Sequence, residues 1–328
     1  LVTLGKISQD GQVALMTGNG SGGFTLLNTL FVGPAPNWAA TGDFNRDGNL
    51  DLVTANNTGN TVSVVASIGT ATFLTPGRIP LPFGAFPAAL AVGDFNYDGK
   101  VDVISANEQI NSISVVIGDG LCGFASVNSA NNTGITPIAI VAADFNRDNC
   151  PDLVTANNGD GTFSHMQSNC AGNFGVTNGL QAGCLDPIAL SAGDANGDLN
   201  PDLGIVCEST GDLCTRLGSG SSTATFGLAV CTPGLTLTPQ GVSIGAYNLD
   251  AFEDYALTYV TLREAGLKIE DQELDANIPA LKNVANKSLL TLWSQSGQLE
   301  AALKGTRKVS DAYKAELEKQ YLGTHQTW

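Results

Sequence analysis

The chain has 328 residues, which is enough for a large hydrophobic core and for more than one domain. Its formal net charge is −16, and so acidic a surface repels phosphate backbones, which argues against nucleic-acid binding. No apolar run approaches the roughly 20 residues of a membrane-spanning helix, so we expect no membrane span. Residues 1–258 contain 6 Lys and Arg against 22 Asp and Glu, whereas residues 259–328 contain 9 of each.

The sequence repeats with a period of about fifty residues, which is typical of propellers, solenoids and arrays. Each repeat places an Asp-rich loop directly before an apolar run: GDFNRDGNLDLVTAN from Gly42, GDFNYDGKVDVISAN from Gly93, ADFNRDNCPDLVTAN from Ala143 and GDANGDLNPDLGIVC from Gly193. A proline precedes each loop and a phenylalanine follows it in the same register: Pro36, Pro87, Pro137 and Pro187, then Phe73, Phe124, Phe174 and Phe226. The opening residues match Leu52–Phe73, so the chain begins in mid-repeat and we expect residues upstream of Leu1.

The unit from Pro87 to Asn132 predicts four antiparallel strands. Its short β-branched runs AALAVGDF, VDVISAN, SISVVIGDG and GFASVNS are separated by turns rich in Gly, Asn and Asp. Four strands in about fifty residues is the size of one propeller blade. A β-solenoid is the alternative, but its coils are usually shorter. We therefore expect an all-β fold over residues 1–260, a β-propeller of four-stranded blades.

The Asp-rich loops supply the oxygen ligands that calcium requires. Ca2+ takes about six to eight oxygens, and the side chains at loop positions 1, 3, 5 and 9, with the carbonyl at position 7, can surround one ion. The predicted ligands, the fourth of each set through its carbonyl, are Asp43, Asn45, Asp47, Asn49 and Asp51; Asp94, Asn96, Asp98, Lys100 and Asp102; Asp144, Asn146, Asp148, Cys150 and Asp152; and Asp194, Asn196, Asp198, Asn200 and Asp202. An EF-hand is excluded because a strand, not a helix, follows each loop.

Position 6 of these loops favours glycine, because the backbone turns there with φ above zero. Gly48 and Gly99 meet this need, and Asn149 tolerates it, whereas Leu199 is expected to strain the fourth loop and weaken its site. A fifth copy at Ala246–Asp254 has lost its first ligand and is expected to be empty. Asx-rich turns without metal are the alternative, and magnesium suits so many protein oxygens less well.

The loops and the segment GNGSGGF resemble the FG-GAP repeat, also called the VCBS repeat, of integrin α-subunit propellers and many secreted bacterial and fungal proteins. The resemblance covers about residues 1–260 and is weakest at Ala246. It implies a β-propeller, usually of seven blades, with calcium held between the first and second strands of a blade. The chain contains four whole units, an opening piece and a closing piece. Six or seven blades, an incomplete ring and a partner-completed ring are therefore all open, and pairing of the closing with the opening strands would join the ring.

Seven cysteines, two histidines and no CxxC pattern argue for disulfides in an oxidising compartment rather than for a zinc site. We expect Cys207 to pair with Cys214 across the turn ESTGDL, and Cys150 to pair with Cys170, with one cysteine left over. Glycosylation sequons occur at Asn19, Asn56, Asn131 and Asn286. These features predict a secreted or cell-surface, extracellular protein.

The composition changes after about residue 260, where glycine nearly vanishes and Leu, Ala, Lys and Glu dominate. The segment ANIPALKNVANKSLLTLWSQSGQLEAALKG has apolar residues at helical spacing, and SDAYKAELEKQYLG has Ser310 as an N-cap and Gly323 after its end. Residues 261–328 are therefore predicted to form a helical tail or hairpin. It either packs on the propeller or serves self-assembly or partner docking.

These features together predict an extracellular, calcium-stabilised propeller that binds a protein or glycan ligand through its inter-blade loops, in adhesion or assembly. Trp38 and Phe86, beside the register prolines, are candidate contact residues, with blade packing as the other interpretation. The alternatives are a structural subunit docked through the tail, a lectin, and the non-catalytic propeller of a secreted hydrolase or lyase. No enzyme is expected, because no Ser-His-Asp order or GxSxG motif occurs and His165 lies in a strand pattern.

Overall fold

The computed structural model of the chain describes residues 2–5, 11–19, 23–69, 72–74, 76–233, 241–245 and 254–258. All regular structure in these residues is β-strand, which confirms the all-β prediction. The helical tail, the residues 246–253 of the fifth loop and the Asn286 sequon lie outside them. The strands are β1 (Val2–Gly5), β2 (Gln12–Gly18), β3 (Phe24–Phe31), β4 (Pro36–Gly42), β5 (Asp51–Asn56), β6 (Thr61–Val65), β7 (Gly77–Pro80), β8 (Pro87–Gly93), β9 (Asp102–Asn107), β10 (Ser112–Gly118), β11 (Phe124–Asn132), β12 (Pro137–Ala143), β13 (Asp152–Asn157), β14 (Thr162–Ser168), β15 (Phe174–Gln181), β16 (Pro187–Gly193), β17 (Asp202–Cys207), β18 (Leu213–Arg216), β19 (Val230–Thr232), β20 (Gly241–Gly245) and β21 (Asp254–Thr258).

The strands form six antiparallel sheets, each made from strands consecutive in sequence. Sheet I contains β1–β3, sheets II to V contain β4–β7, β8–β11, β12–β15 and β16–β19, and sheet VI contains β20–β21. The first strands of sheets II to VI contact one another in chain order. The four complete units are thus four-stranded meanders, as predicted, and they are consistent with propeller blades. No helix in the described ranges is long and apolar enough to cross a membrane.

The hydrophobic core lies between consecutive sheets. One cluster joins Phe95 and Ile104 of sheet III to Leu153 and Met166 of sheet IV, and similar clusters fill the spaces between sheets I and II, II and III, and IV and V. The second strand of each four-stranded sheet is therefore covered on both faces. All six residues of β5, β9, β13 and β17 are buried, so these strands do not show the polar and apolar alternation of a half-exposed strand.

A buried polar network crosses sheets II, III and IV at the same place. In sheet III the Asn107 amide donates to Ser112 at 3.2 Å and to Ser114 at 2.8 Å, and it accepts from Ser105 at 2.8 Å. Asn56 and Asn157 make the equivalent bonds in their sheets. Buried amides of this kind are stable only when their hydrogen bonds are made.

This network shows that the sequon at Asn56 cannot carry a glycan in the folded chain. Asn56 is fully buried, and its amide nitrogen is bonded to Thr61 and Ser63. Of the other sequons, Asn19 is exposed, and Asn131 lies in β11. In sheet V, Cys207 stands where the other sheets have asparagine, and Ile205 and Cys214 replace two of the hydroxyl residues that bond to it.

The disulfides differ in part from the prediction. Cys150–Cys170 is confirmed, but Cys207 pairs with Cys184, and Cys214 pairs with Cys231. The expected pair was wrong because strand register places Ile205, not Cys207, opposite Cys214, while Cys231 lies directly opposite Cys214 on β19. Three disulfides indicate an oxidising environment.

Candidate metal centres

Each of the four loops joins the first and second strands of a four-stranded sheet: β4 to β5, β8 to β9, β12 to β13 and β16 to β17. Successive loops touch one another. The Tyr97 hydroxyl donates to the carbonyl of Asn149, and Arg147 Nη2 donates to the carbonyl of Asp198 at 3.1 Å. The second, third and fourth loops therefore form a row along one end of sheets III to V.

The first three predicted side-chain ligands of each loop turn inwards. Asp43 accepts from the N–H groups of Asp47 at 3.1 Å and Gly48 at 3.0 Å. Asn45 Oδ1 accepts from the Asp47 N–H at 3.0 Å, and Asp47 Oδ1 accepts from the Asn49 N–H at 2.7 Å. The same four bonds recur in the other three loops. The structure thus brings positions 1, 3 and 5 together in every loop.

The final aspartate of each loop is anchored from the interior. Asp51 is fully buried; its Oδ2 accepts from the Phe44 N–H at 2.9 Å and its Oδ1 from the Ser67 N–H at 2.7 Å. Asp102 and Asp202 accept two equivalent bonds at 2.8–3.0 Å. The position-9 side chain therefore links the loop to the third strand of its own sheet.

Hydrogen bonding and burial shift the pKa values of the loop carboxylates in opposite directions. A hydrogen bond from the N–H two residues later lowers the pKa of Asp47 and of Asp198. Desolvation raises the pKa of the buried Asp102 and Asp202 despite their two N–H bonds. The exposed central carboxylate is thus held as an anion, and the buried one lacks a neighbouring positive charge to favour its charged form.

The loop backbones need left-handed residues at two positions. Position 6 has φ of 84°, 76°, 68° and 67° at Gly48, Gly99, Asn149 and Leu199. The expected strain at Leu199 is therefore present, because a leucine occupies a region that L-residues avoid. Position 4, which sequence reasoning missed, has φ of 61°, 60°, 61° and 78° at Arg46, Tyr97, Arg147 and Gly197. In the fourth loop the glycine, Gly197, stands at position 4 instead of position 6. This shift was the feature of the sequence that could have indicated a left-handed residue at position 4.

Replacing Leu199 by glycine should stabilise the fourth loop. The side chain is 78% exposed and makes little packing, so its removal relieves a left-handed leucine at the cost of few contacts. We expect Leu199→Gly to raise the free energy of unfolding by about 1 kcal/mol and to tighten metal binding at one site. Urea denaturation with and without calcium measures both effects. The reverse change in the second loop, Gly99→Leu, should be destabilising, and equal effects of the two changes would contradict the assignment.

The donor set of the loops fits calcium better than a transition metal, because every predicted ligand is an oxygen. The described residues include two tighter groups of His, Cys, Asp or Glu side chains with ligand atoms within 4.8 Å: Cys184, Cys207 and Cys214, and Asp148, Cys150 and Cys170. All five cysteines are in disulfides, so neither group offers thiolate ligands. Within the described ranges, no loop brings three carboxylate oxygens within 4.8 Å of one another.

A phenylalanine at position 2 of each of the first three loops packs against the next sheet. Phe44, Phe95 and Phe145, at position 2 of their loops, are almost fully buried. They pack edge-to-face on the closing phenylalanine of the following sheet, with ring centroids 6.2, 6.1 and 5.3 Å apart in the pairs Phe44–Phe124, Phe95–Phe174 and Phe145–Phe226. Such pairs add to the burial energy of the rings. The sequence revealed the register but not this contact.

Cys122 is the cysteine left over among the seven, and it also touches a loop. Its Sγ–H donates to Oδ2 of Asp51 at 3.3 Å, and its N–H donates to the Phe44 carbonyl at 3.2 Å. Desolvation, followed by this contact, raises the pKa of Cys122 to about 12. The thiol therefore stays protonated and is a poor nucleophile.

The two candidate contact aromatics occupy different places. Trp38 lies within β4 and is 41% exposed, so its assignment to an inter-blade loop was wrong. Phe86 lies on the connection between β7 and β8, is half-buried, and has φ of 49°. Its N–H donates to Oδ1 of Asn60 at 2.9 Å, so this residue ties a turn of sheet II to the start of sheet III.

Comparison with known proteins identifies the repeats. The FG-GAP-like repeat family matches residues 43–105 and again residues 94–155, which contain the first three loops. No curated protein sequence matches the chain significantly. The repeats that carry the first three candidate metal loops are therefore the part of the chain that matches this family.

Solved structures show the same type of fold at low sequence identity. A candidate 6-phosphogluconolactonase of Bacteroides uniformis has a TM-score of 0.55 at 13% identity, over 74% of this chain and 71% of that chain. BBS1N in complex with ARL6DN has a TM-score of 0.50 at 11% identity, over 78% and 75%. An Agrocybe aegerita lectin that recognises non-reducing terminal N-acetylglucosamine has a TM-score of 0.47 at 16% identity, over 74% and 67%. At these identities the likeness of the first two structures shows the fold alone, and nothing is inferred from the lectin. Residues 43–155 therefore consist of FG-GAP-like repeats, and the antiparallel four-stranded sheets of the chain are consistent with the blades of a propeller-type fold.

Proposed function

We propose that this protein is an extracellular β-propeller module that is stabilised by calcium in its four loops and that binds another protein in adhesion or assembly. The observation that carries the proposal is the fourfold recurrence of one donor set, Asp, Asn, Asp and a buried Asp, in loops with the same hydrogen bonds. Four such clusters without a cation would repel themselves, whereas one bound ion per loop offsets most of that charge. We propose about four Ca2+ sites.

Calcium in these loops would act structurally. Each final aspartate connects its loop to the third strand, and each position-2 residue of the first three loops packs on the next sheet. An ion bound by one loop therefore stabilises a junction between two sheets. Extracellular calcium concentrations suit such sites, and the three disulfides support a secreted or cell-surface location.

The end of the sheets opposite the metal loops is the best-supported ligand face. The described connections there, residues 32–35, 57–60, 81–86, 108–111, 133–136, 158–161, 182–186 and 208–212, contain no Lys or Arg. They contain five acidic residues: Glu108, Asp160, Asp186, Glu208 and Asp212. Three apolar side chains stand out among them, Phe83 at 99% exposure, Leu185 at 85% and Ile135 at 52%. Apolar and acidic groups together favour a partner with a basic and apolar surface.

This face favours a protein over a glycan. Sugar rings usually stack on aromatic faces, and Phe83 is the one strongly exposed aromatic on the described connections at this end. A lectin function is therefore the second candidate for this protein. A structural subunit docked through the tail, and the non-catalytic propeller of a secreted hydrolase or lyase, are kept as further alternatives. We propose no catalytic role, because His165 is only 3% exposed and the clustered aspartates belong to the candidate metal loops.

Calcium titration tests the proposal directly. Calorimetry of the calcium-free chain should report about four bound ions, and Asp94→Ala should remove one of them, because Asp94 supplies position 1 of the second loop. Glu208→Ala is the matched control, since this exposed carboxylate lies at the other end of the sheets. A chain that binds no calcium, or a stoichiometry unchanged by Asp94→Ala, would contradict the proposal. A glycan array in calcium buffer separates the lectin from the protein-binding alternative.

A further inference from the structure

The third loop lacks one of the two hydrogen bonds that hold the final aspartate in the other loops. Asp152 Oδ1 accepts from the Ser168 N–H at 2.8 Å, as expected. Its Oδ2 is buried and has no hydrogen-bond partner, although the side chain is fully enclosed. The N–H that would fill this role, that of Phe145, donates instead to the carbonyl of Ala143 at 3.1 Å.

A second buried polar atom without a partner lies beside it. His165 Nε2 is 3.9 Å from Asp152 Oδ2, and neither atom makes a hydrogen bond. His165 is 3% exposed, and its ring contacts those of Phe145 and Phe226 edge-to-face at 6.0 and 5.5 Å. The ring is thus enclosed by aromatic groups on the sides where those rings lie, and its Nε2 edge is directed at the carboxylate.

This histidine replaces a core residue. The same register is occupied by Val64 in sheet II and Val115 in sheet III, both nearly completely buried. In those two sheets the final aspartate receives its loop N–H, from Phe44 and Phe95. A polar side chain therefore appears in the core of the one sheet in which the loop donor is missing.

We propose that His165 is a positioning residue for the third metal loop, in which the imidazole donates its Nε2–H to Oδ2 of Asp152 in place of the missing backbone N–H. A buried donor and a buried acceptor that stay unpaired are each costly, and one hydrogen bond satisfies both. The movement required is about 1 Å, to reach ordinary hydrogen-bond length. The importance of Asp152 as a ligand rests on the proposed calcium function, whereas the hydrogen bond itself does not.

The bond would make the third loop different from the others. Its final ligand depends on a side chain of β14 that is held between Phe145 of its own loop and Phe226 of sheet V. In the first, second and fourth loops the corresponding donor belongs to the loop itself. Metal binding at the third loop is therefore coupled to the packing of sheet V on sheet IV.

Histidine NMR on the full chain tests the bond without reference to calcium. The chain has two histidines, so a ¹⁵N-histidine spectrum contains two imidazoles, and His325→Gln assigns them. We expect His165 in the Nε2–H tautomer, with an Nε2 proton that exchanges slowly and shifts in Asp152→Asn. A proton on Nδ1 with a bare Nε2, or an Nε2 signal unaffected by Asp152→Asn, would overturn the inference.

Calcium binding tests the positioning role. His165→Leu removes the donor while keeping the volume, and it should weaken one of the calcium sites about tenfold. The same change in an Asp144→Ala background, where the third site is already lost, should have no further effect on calcium binding. Val115→Leu is the control, because it places the same side chain at the equivalent core position of sheet III, where no imidazole donor is lost. Unchanged calcium affinity in His165→Leu would overturn the role, and a wild-type chain without calcium binding would instead overturn the proposed function, with the tautomer still deciding the bond.

Discussion

Adding a calcium chelator to the folded chain is expected to lower its Tm by roughly 20–40 °C. An ion that binds only the folded state contributes about 2.7 kcal/mol at a hundredfold excess over its Kd, and four such sites contribute roughly 11 kcal/mol. In a domain of this size each kcal/mol corresponds to about 2–4 °C. The loss should appear in differential scanning calorimetry in millimolar calcium compared with the same buffer containing EGTA.

Single-loop variants make this result specific. Asp94→Asn should remove the share of the second loop and so reduce the chelator-induced fall in Tm by about a quarter, because the four loops share one donor set. Glu208→Gln, at the opposite end of the sheets, should leave the fall unchanged. Restoring calcium after chelation should restore the original Tm. A Tm that does not respond to EGTA would remove the stabilising role of the metal, whatever the loops bind.

The second large effect is expected from the core contact beneath the loops. Phe95→Ala should cost about 3–5 kcal/mol of unfolding free energy. The ring is fully buried, belongs to the cluster between sheets III and IV, and packs edge-to-face on Phe174 with centroids 6.1 Å apart. Chemical denaturation of wild type and variant in calcium measures the loss. The same change should weaken calcium binding at the second loop, which the ring supports.

Phe83→Ala is the matched control for this substitution. The same side chain is lost, but Phe83 is 99% exposed, so its removal should change stability by less than about 0.5 kcal/mol. Combining Phe95→Ala with Phe174→Ala isolates the ring–ring contact, for which a coupling of about 0.5–1.5 kcal/mol is expected. Equal losses from Phe83→Ala and Phe95→Ala would show that the inter-sheet contact does not support the fold.

The disulfides show which cysteine pairs could be predicted from the sequence and which could not. Cys150 and Cys170 are close in one repeat, and their pairing was predicted from that closeness. Cys207 and Cys214 are nearer still in sequence, and their sulfur atoms do lie 3.7 Å apart. Their partners are nevertheless Cys184 and Cys231, because strand register and the connection before β16 decide which sulfurs meet.

The buried asparagines are a second feature that could not be predicted from the sequence. Asn56 reads in the sequence as a glycosylation site at the end of a strand. It is instead the centre of a polar network, because β5 is covered on both faces by neighbouring sheets. Likewise, His165 stands at a strand position where Val64 and Val115 predict simple packing, and only the fold reveals the unpaired carboxylate of Asp152 beside it.

The amino-acid sequence by itself determined the repeat, the four strands of each complete unit, and the loop positions 1, 3, 5 and 9. These depend on local spacing, on β-branched runs and on residues that tolerate a tight turn, all of which can be read along the chain. Only the tertiary structure decided the sulfur partners of Cys207 and Cys214, the phenylalanine contacts between sheets, the burial of Asn56 and the approach of His165 to Asp152. Each of these joins residues that belong to different strands or sheets, and their distance is set by how the sheets pack rather than by spacing along the chain.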